Sequence, residues 1–316
     1  MTFDPTTATV SEMLKLVDKA FGIDRVMKDW GREIIPEYYA QSGPAYERMH
    51  STQGCMHGAL NDDGVFSYDG YLVQPRAVMA EVAALKGARV LELGCGKGFN
   101  SLFCAQHMDE VTFTGTDLLP AHVERARLFA QEAGRSNVSY EQASYEPLPD
   151  RFRDYDVAFA FETLCYAKDT DLVAASIAAS LRPGGRFVMY DMHAFGNADD
   201  LPADLARATR LYEISVAITH GFLPAGQWEA SLTKAGLIVD PVQDLTAQLL
   251  PGLYRQVEMG HRTLTSWKKR LAIKAMPPYM TRNAIAALFG PAICRLGREK
   301  DDGVLAYQKI TATKPL

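Results

Sequence analysis

No stretch of the sequence reaches the roughly eighteen apolar residues that a helix needs to cross a bilayer, so no membrane span is expected. The segment Met1 to Thr7 lacks a basic region leading into an apolar one, so no secretory leader is expected. Cysteine is scarce and scattered. Cys55, Cys95, Cys104, Cys165 and Cys294 are odd in number and without C-x-x-C spacing, which argues against a disulfide framework or a zinc site. No metal site is assigned, and a reducing cytoplasm is the expected location. Basic charge is not in excess: 33 Lys and Arg against 38 Asp and Glu give a net charge of −5. That balance gives no reason to expect nucleic acid or an anionic membrane as partner. Internal repeats and low-complexity tracts are absent. The 316 residues suffice to bury a sizeable core in one or two domains.

What is present changes character along the chain. Residues 1–87 read as mostly helical, with Met13, Leu14, Leu16, Val17, Ala20 and Phe21 at helical spacing and Ser11 as N-cap. Further helices are expected over Trp30–Tyr39 and Gln74–Leu85, separated by a polar loop from Gln53 to Gly70. From Ala88, strands alternate with helices. The strands are Arg89–Leu93, Val111–Thr116, Val138–Gln142, Asp156–Phe161 and Gly185–Asp191, with helices near 99–107, 120–134 and 168–181. Such alternation predicts a doubly wound α/β fold with a parallel sheet. Residues 193–316 read as a helical cap near 201–217, a helix at Gln227–Ala235, a strand at Leu237–Leu245, a basic helical stretch 253–296 broken at Pro277-Pro278, and a final strand Val304–Ala312.

The centre of this pattern is Val90-Leu-Glu-Leu-Gly-Cys-Gly-Lys-Gly-Phe-Asn-Ser101, a buried strand running into a glycine turn and a helix start. Glycines let backbone approach a ligand where a Cβ would collide. The spacing is G-x-G-x-G rather than G-x-G-x-x-G, and no Gly-Lys-Ser/Thr follows. In an open α/β sheet the ligand sits beyond the carboxyl ends of the strands. Those ends carry Asp117, suited to two ribose hydroxyls, Ser144 and Tyr145, suited to an adenine, and Glu162.

These residues form a series. Glu92-Leu-Gly-Cys-Gly-Lys-Gly98, Asp117-Leu118, Leu148-Pro149, Asp156 and Leu181-Arg-Pro-Gly-Gly-Arg-Phe187 resemble, in order and spacing, the motifs of class I S-adenosylmethionine-dependent methyltransferases. The resemblance covers about residues 88–192. It implies a Rossmann-like seven-stranded sheet whose last strand is antiparallel, with a helical N-terminal lid (1–87) and helical C-terminal insertions (193–316). It implies S-adenosylmethionine as cofactor, with Glu92, Gly94, Cys95 and Gly96 around the methionine portion, Asp117 at the ribose and Leu118 at the adenine face. Asn100, Ser144, Tyr145 and Glu162 complete the expected cofactor set. Ser144 stands where an acid commonly contacts the adenine amino group. A second resemblance lies in Glu162-Thr-Leu-Cys-Tyr-Ala-Lys-Asp169, Tyr190-Asp-Met192 and Gly221-Phe-Leu-Pro224, which are similar to segments of sterol and prenyl C-methyltransferases. Tyr166, Asp191 and Met192 replace the His, Glu and Trp of that group.

Alkene methylation needs an apolar pocket, aromatic faces for a transient carbocation and one base. Positioning supplies much of the rate, and each ring contributes about 0.5–2 kcal/mol of cation–π stabilisation. Candidate rings are Tyr38, Tyr39, Tyr68, Tyr71, Tyr166, Tyr190, Phe222 and Trp228, with Tyr38, Tyr39, Tyr190 and Phe222 assigned to the substrate pocket and Tyr166 to the catalytic set. Glu162 is the favoured base, because burial at a strand end raises a carboxylate's pKa. His57 is the rival. The expected substrate is a small apolar molecule: a prenyl diphosphate, terpenoid or sterol. Mg²⁺ enters only with a diphosphate, and homo-oligomerisation is left open. O- or N-methylation of a small natural product is the alternative, and a catalytically inactive cofactor-binding scaffold is the alternative of another class. Nucleic-acid methylation is disfavoured by the absence of an Asn/Asp-Pro-Pro-aromatic motif after the fourth strand.

Overall fold

The protein is described from a computed structural model covering residues 3–46, 54–296 and 303–316. The start of the expected Gln53–Gly70 loop lies outside those residues. Eight strands form one sheet in the order β3-β2-β1-β4-β5-β8-β6, with β7 also paired to β8. The strands are β1 (Arg89–Leu93), β2 (Thr112–Asp117), β3 (Val138–Gln142), β4 (Tyr155–Phe161), β5 (Leu181–Ala194), β6 (Ile238–Val239), β7 (Gln243–Asp244) and β8 (Leu305–Thr313). The first five are parallel, and β8 runs antiparallel to β5. The chain winds outward from β1 to β3 and then returns to β4 beside β1. The switch point therefore opens between Gly94 and Glu162, the residues that follow those two strands.

Strand alternation distributes the core over both faces. Val90, Val157 and Val188 pack beneath α4 (Val73–Val82), α5 (Phe99–His107) and α6 (Pro120–Glu132). Leu91, Ala158 and Phe187 pack beneath α7 (Thr170–Ser180) and α9 (Gln227–Lys234). The remaining helices cover the carboxyl edge. They are α1 (Val10–Phe21), α2 (Ile23–Met27), α3 (Ile35–Ala45), α8 (Ala203–Ser215), α10 (Thr246–Thr265), α11 (Trp267–Lys274) and α12 (Pro278–Ile293). Helix α12 packs against α3, α8 and α10 and so joins the N-terminal and C-terminal parts of the cover. Its Arg282 is buried and pairs with buried Asp29, just after α2, at 2.5 Å.

Several local expectations are corrected. The N-cap of α1 is Thr9 rather than Ser11, because Glu12 completes a capping box with Thr9. The helix expected over Trp30–Tyr39 is the later α3, with Pro36 in its first turn, and the short α2 precedes it. The turn expected at Arg182–Gly185 lies inside β5 as an irregularity, with Gly184 at φ 75° and a register shift against β4. The strand expected at Leu237–Leu245 is two short pieces, β6 and β7, divided around Pro241, which has no amide hydrogen for a ladder. Counted as one interrupted strand, β6 and β7 complete the seven-stranded sheet expected, with its last strand antiparallel; counted separately they make eight.

Candidate active site

The glycine turn after β1 is shaped by contacts that allow no side chain. Gly94 and Gly96 have φ of 64° and 52°, and a Cβ on Gly94 would fall 2.0 Å from Thr163 Oγ1. Both glycines line a cavity of about 480 Å³ that also meets Met56, His57, Cys95, Asn100, Asp117, Leu118, His122, Ser144, Tyr145, Glu162 and Tyr166. Asp117, at the end of β2, closes the turn: its Oδ2 accepts from Gly96 N at 2.8 Å and its Oδ1 from Leu119 N at 2.9 Å. Ser144 is tied to the backbone of Glu146 through both its donor and acceptor roles, and Tyr145 donates to Thr163 O.

Behind the turn stands a buried polar chain. Glu92 accepts from Asn100 Nδ2 at 3.0 Å and from the Ser101 amide and hydroxyl, while Asn100 Oδ1 lies 2.9 Å from His57 Nε2. Burial pushes the Glu92 carboxyl up to about 7, against the pull of its Ser101 and Asn100 donors. Glu92 does not line the cavity. It holds Asn100, which does.

Glu162 follows β4 with φ 48°, a left-handed backbone that a non-glycine residue keeps only when its surroundings enforce it. Its amide donates to Tyr190 O at 2.8 Å. Its Oε1 accepts from Gly58 N at 2.6 Å and from Tyr307 OH at 2.8 Å. Gln74 in turn donates to Gly58 O at 2.8 Å. Burial raises the Glu162 carboxyl above its ordinary range, and His57, the Gly58 amide and the Tyr307 hydroxyl oppose the rise. Its Oε2 has no hydrogen-bond partner among the described residues.

A second cavity, about 960 Å³, adjoins the first beneath α8, α10, α11 and α12. Tyr39, Met56, Glu162 and Tyr166 line both. Tyr39 and Tyr166 form the seam, with their hydroxyls 3.0 Å apart and Tyr166 donating to Val216 O at 2.8 Å. Apolar and aromatic side chains dominate the larger space: Tyr46, Tyr212, Phe222, Leu249, Leu253, Met259, Met276 and Met280. Asp191 also faces it, its carboxylate held by the amides of Cys165 and Met192 and pushed up to about 7 by burial.

The expected pocket rings divide. Tyr39, Tyr166 and Phe222 line a cavity; Tyr38, Tyr68, Tyr71, Tyr190 and Trp228 line neither. Tyr38 lies one helical position from Tyr39 and turns into the packing around Asn283, to which it donates at 2.7 Å. Tyr190 packs edge-on against Phe161, and Trp228, on α9, is fully buried in the core beneath that helix. Sequence reasoning missed Tyr46, Tyr212, Met280 and Tyr307, which carry no motif.

A doubly wound sheet with a glycine cradle at its switch point and a carboxylate ending β2 defines the class I S-adenosylmethionine-dependent methyltransferases. A family model described as a methyltransferase domain matches residues 84–246, more than half of the chain, and the protein belongs to that family. That family is the S-adenosylmethionine-dependent methyltransferases, and the chain spans 61% of the length of the first curated relative it matches. The chain is 29% identical over 183 residues to the S-adenosyl-L-methionine-dependent Diels-Alderase iccD of Talaromyces variabilis, covering 55% of this chain and 61% of that protein. It is 28% identical over 231 residues to 27-O-demethylrifamycin SV methyltransferase of Amycolatopsis mediterranei, covering 72% and 78%. The fold matches the [4+2]-cyclase SpnF with a TM-score of 0.67 at 20% identity, covering 89% of this chain and 95% of that one. It matches geranyl diphosphate C-methyltransferase of Streptomyces coelicolor A3(2) with a TM-score of 0.60 at 14% identity, covering 92% and 97%.

The smaller cavity fits the cofactor by its own chemistry. Asp117 presents carboxylate oxygens suited to hydroxyl donors, the backbone at Gly94 and Gly96 is bare, and the far end meets the aromatic seam and Glu162.

Proposed function

We propose that this methyltransferase acts on a carbon of an isoprenoid-class alkene bound in the larger cavity, with Glu162 taking the proton that leaves. The observation that carries the reading is the placement of Glu162. Among the described lining residues it is the one carboxylate common to both cavities, and its Oε2 is unpaired.

S-adenosylmethionine, when bound, supplies an electrophilic methyl group. Glu92, through Asn100, and Asp117, through the Gly96 amide, fix the turn that receives it. Tyr39 and Tyr166 set the aromatic boundary where acceptor and methyl donor meet, and Tyr46, Tyr212 and Phe222 present rings farther in. A cofactor held there would supply its methyl group to the acceptor's double bond, with the sulfur as leaving group, and the positive charge would then rest on the acceptor carbon facing these rings. Cation–π contact stabilises that charge by about 0.5–2 kcal/mol per ring. Loss of an adjacent proton to Glu162 Oε2 restores the double bond. His57 serves this chemistry by position: its Nε2 is committed to Asn100, and it lies close enough to Glu162 to favour the ionised carboxylate. Mg²⁺ enters the reading only with a diphosphate acceptor, as in the Streptomyces structure with geranyl diphosphate.

O-methylation of a natural-product hydroxyl is a second reading, supported by the similarity to the rifamycin methyltransferase and by the fact that Oε2 can equally accept a hydroxyl proton. Transfer from ¹³C-methyl-labelled cofactor to a panel of terpenoid, sterol and phenolic acceptors separates the two. A new methyl resonance in the aliphatic or vinylic region supports C-methylation; a methoxy resonance overturns it.

A further inference from the structure

The charge balance of the whole chain hides a local reversal. Between Met259 and Leu296 the sequence holds seven of the 33 Lys and Arg (Arg262, Lys268, Lys269, Arg270, Lys274, Arg282 and Arg295) and none of the 38 Asp and Glu. Helix α11 sits in the middle of this segment and is exposed along most of its length. Trp267 is 66% exposed, Leu271 64% and Met276 43%, a concentration of large apolar side chains that water disfavours. Trp267 and Leu271 are four residues apart and share a face of the helix. Among the described residues Lys268, Lys269 and Lys274 have no acidic partner, and Lys268 lies 5.8 Å from the centre of the Trp267 ring. Arg270 is committed elsewhere, donating to the carbonyls of Leu264 and Thr265 at the end of α10.

The same short segment forms part of the wall of the larger cavity. Lys269, Ala272, Ile273 and Met276 line it, while Trp267 and Leu271 do not. An exposed apolar pair ringed by unpaired ammonium groups therefore borders the space where an apolar acceptor would bind.

We propose that α11 docks the enzyme on an anionic lipid bilayer, with Trp267 and Leu271 entering the interface and Lys268 and Lys274, which flank that face, meeting the headgroups. An interfacial tryptophan beside an aliphatic side chain and a basic border matches the amphipathic surfaces that lie on membranes rather than cross them. Charge complementarity selects the anionic surface. The acceptor then passes from the lipid phase into the cavity along Ile273 and Met276. The docking draws on the preceding reading only for the acceptor being apolar.

The test is vesicle flotation of the full chain with phosphatidylcholine alone and with phosphatidylcholine containing about a third phosphatidylglycerol, alongside tryptophan fluorescence. Of the three tryptophans Trp228 is fully buried and Trp30 is half-buried beneath Arg210, so a blue shift that disappears with W267A/L271A reports Trp267. Binding to the anionic vesicles only, with a blue shift absent from W267A/L271A, is the expected result. K268E/K274E should weaken binding by more than about tenfold, and 0.5 M salt should do likewise. Both variants should keep wild-type circular dichroism and wild-type turnover of a detergent-dissolved acceptor. That last readout separates failure of docking from failure of the methylation reading. Absence of anionic-vesicle binding overturns the proposal, as does equal binding to neutral vesicles or binding unchanged in both variants. Displacement by soluble polyglutamate without any fluorescence shift also overturns it, and would mark the face as one for an acidic protein.

Discussion

Tyr307, on the last strand of the sheet, donates its phenolic hydrogen to Glu162 Oε1 at 2.8 Å across 145 residues of sequence. This bond favours the ionised carboxylate against the burial that disfavours it. It also commits one oxygen and leaves the other for chemistry.

Removing that hydroxyl in Tyr307→Phe should raise the Glu162 pKa. The acid limb of the kcat/KM profile should move upward in pH. The loss should be largest on the acid side and shrink as pH rises and the carboxylate ionises regardless. A uniform drop at every pH would mean that Tyr307 only shapes the cavity.

The cradle allows an equally direct check. Gly94→Ala places a Cβ against Thr163 at a backbone φ that disfavours any side chain. S-adenosylmethionine affinity by calorimetry should fall by more than about tenfold, with near-native helix content by circular dichroism. Retained affinity would place the cofactor away from this turn.

Glu92 gives a pH dependence of stability. Its folded pKa of about 7 stands above the ordinary 4.5, so the folded state holds a proton that the unfolded state releases first. The associated stabilisation is full below about pH 4.5 and is lost as pH rises through about 7. In denaturant titrations, the stability of wild type relative to Glu92→Gln should decline between pH 5 and 8, by about 3 kcal/mol at most. An unchanged difference would show that Glu92 is ionised throughout.

The buried Arg282–Asp29 ion pair ties α12 to the segment just after α2. Arg282→Met strands Asp29, whose other partners are the largely exposed Arg32 and the Tyr279 hydroxyl at 3.3 Å. Breaking a buried pair from one side costs about 3–5 kcal/mol, and Arg32 should hold the loss near about 3 kcal/mol. A change below about 1 kcal/mol, the scale of a surface pair, would show that α12 is held by its apolar contacts alone.

Gly94, Gly96, Asp117 and Glu162 were legible because each sits at a strand end inside a short, ordered motif. Strand alternation and glycine turns fix such positions locally. Tyr307, Tyr212 and Met280 come to the site from an antiparallel strand and two cap helices, and nothing in their own neighbourhoods marks them. The choice between Tyr38 and Tyr39 needed the rotation of α3, which depends on its packing against α12. Trp228 could not be told from a pocket ring, because the helix that buries it against Leu232 and Ile177 becomes visible only in the packed structure. The division of β6 from β7 could have been read from Pro241, whose missing amide hydrogen interrupts the ladder.

The most direct measurement is turnover of an isoprenoid acceptor by Glu162→Gln, with S-adenosylmethionine affinity measured on the same sample. Glutamine keeps the size of the side chain and cannot take a proton. Methyl transfer should fall by at least about a hundredfold, with cofactor affinity within a few-fold of wild type. Methylated product formed at the wild-type rate would contradict the account and remove Glu162 from the chemistry.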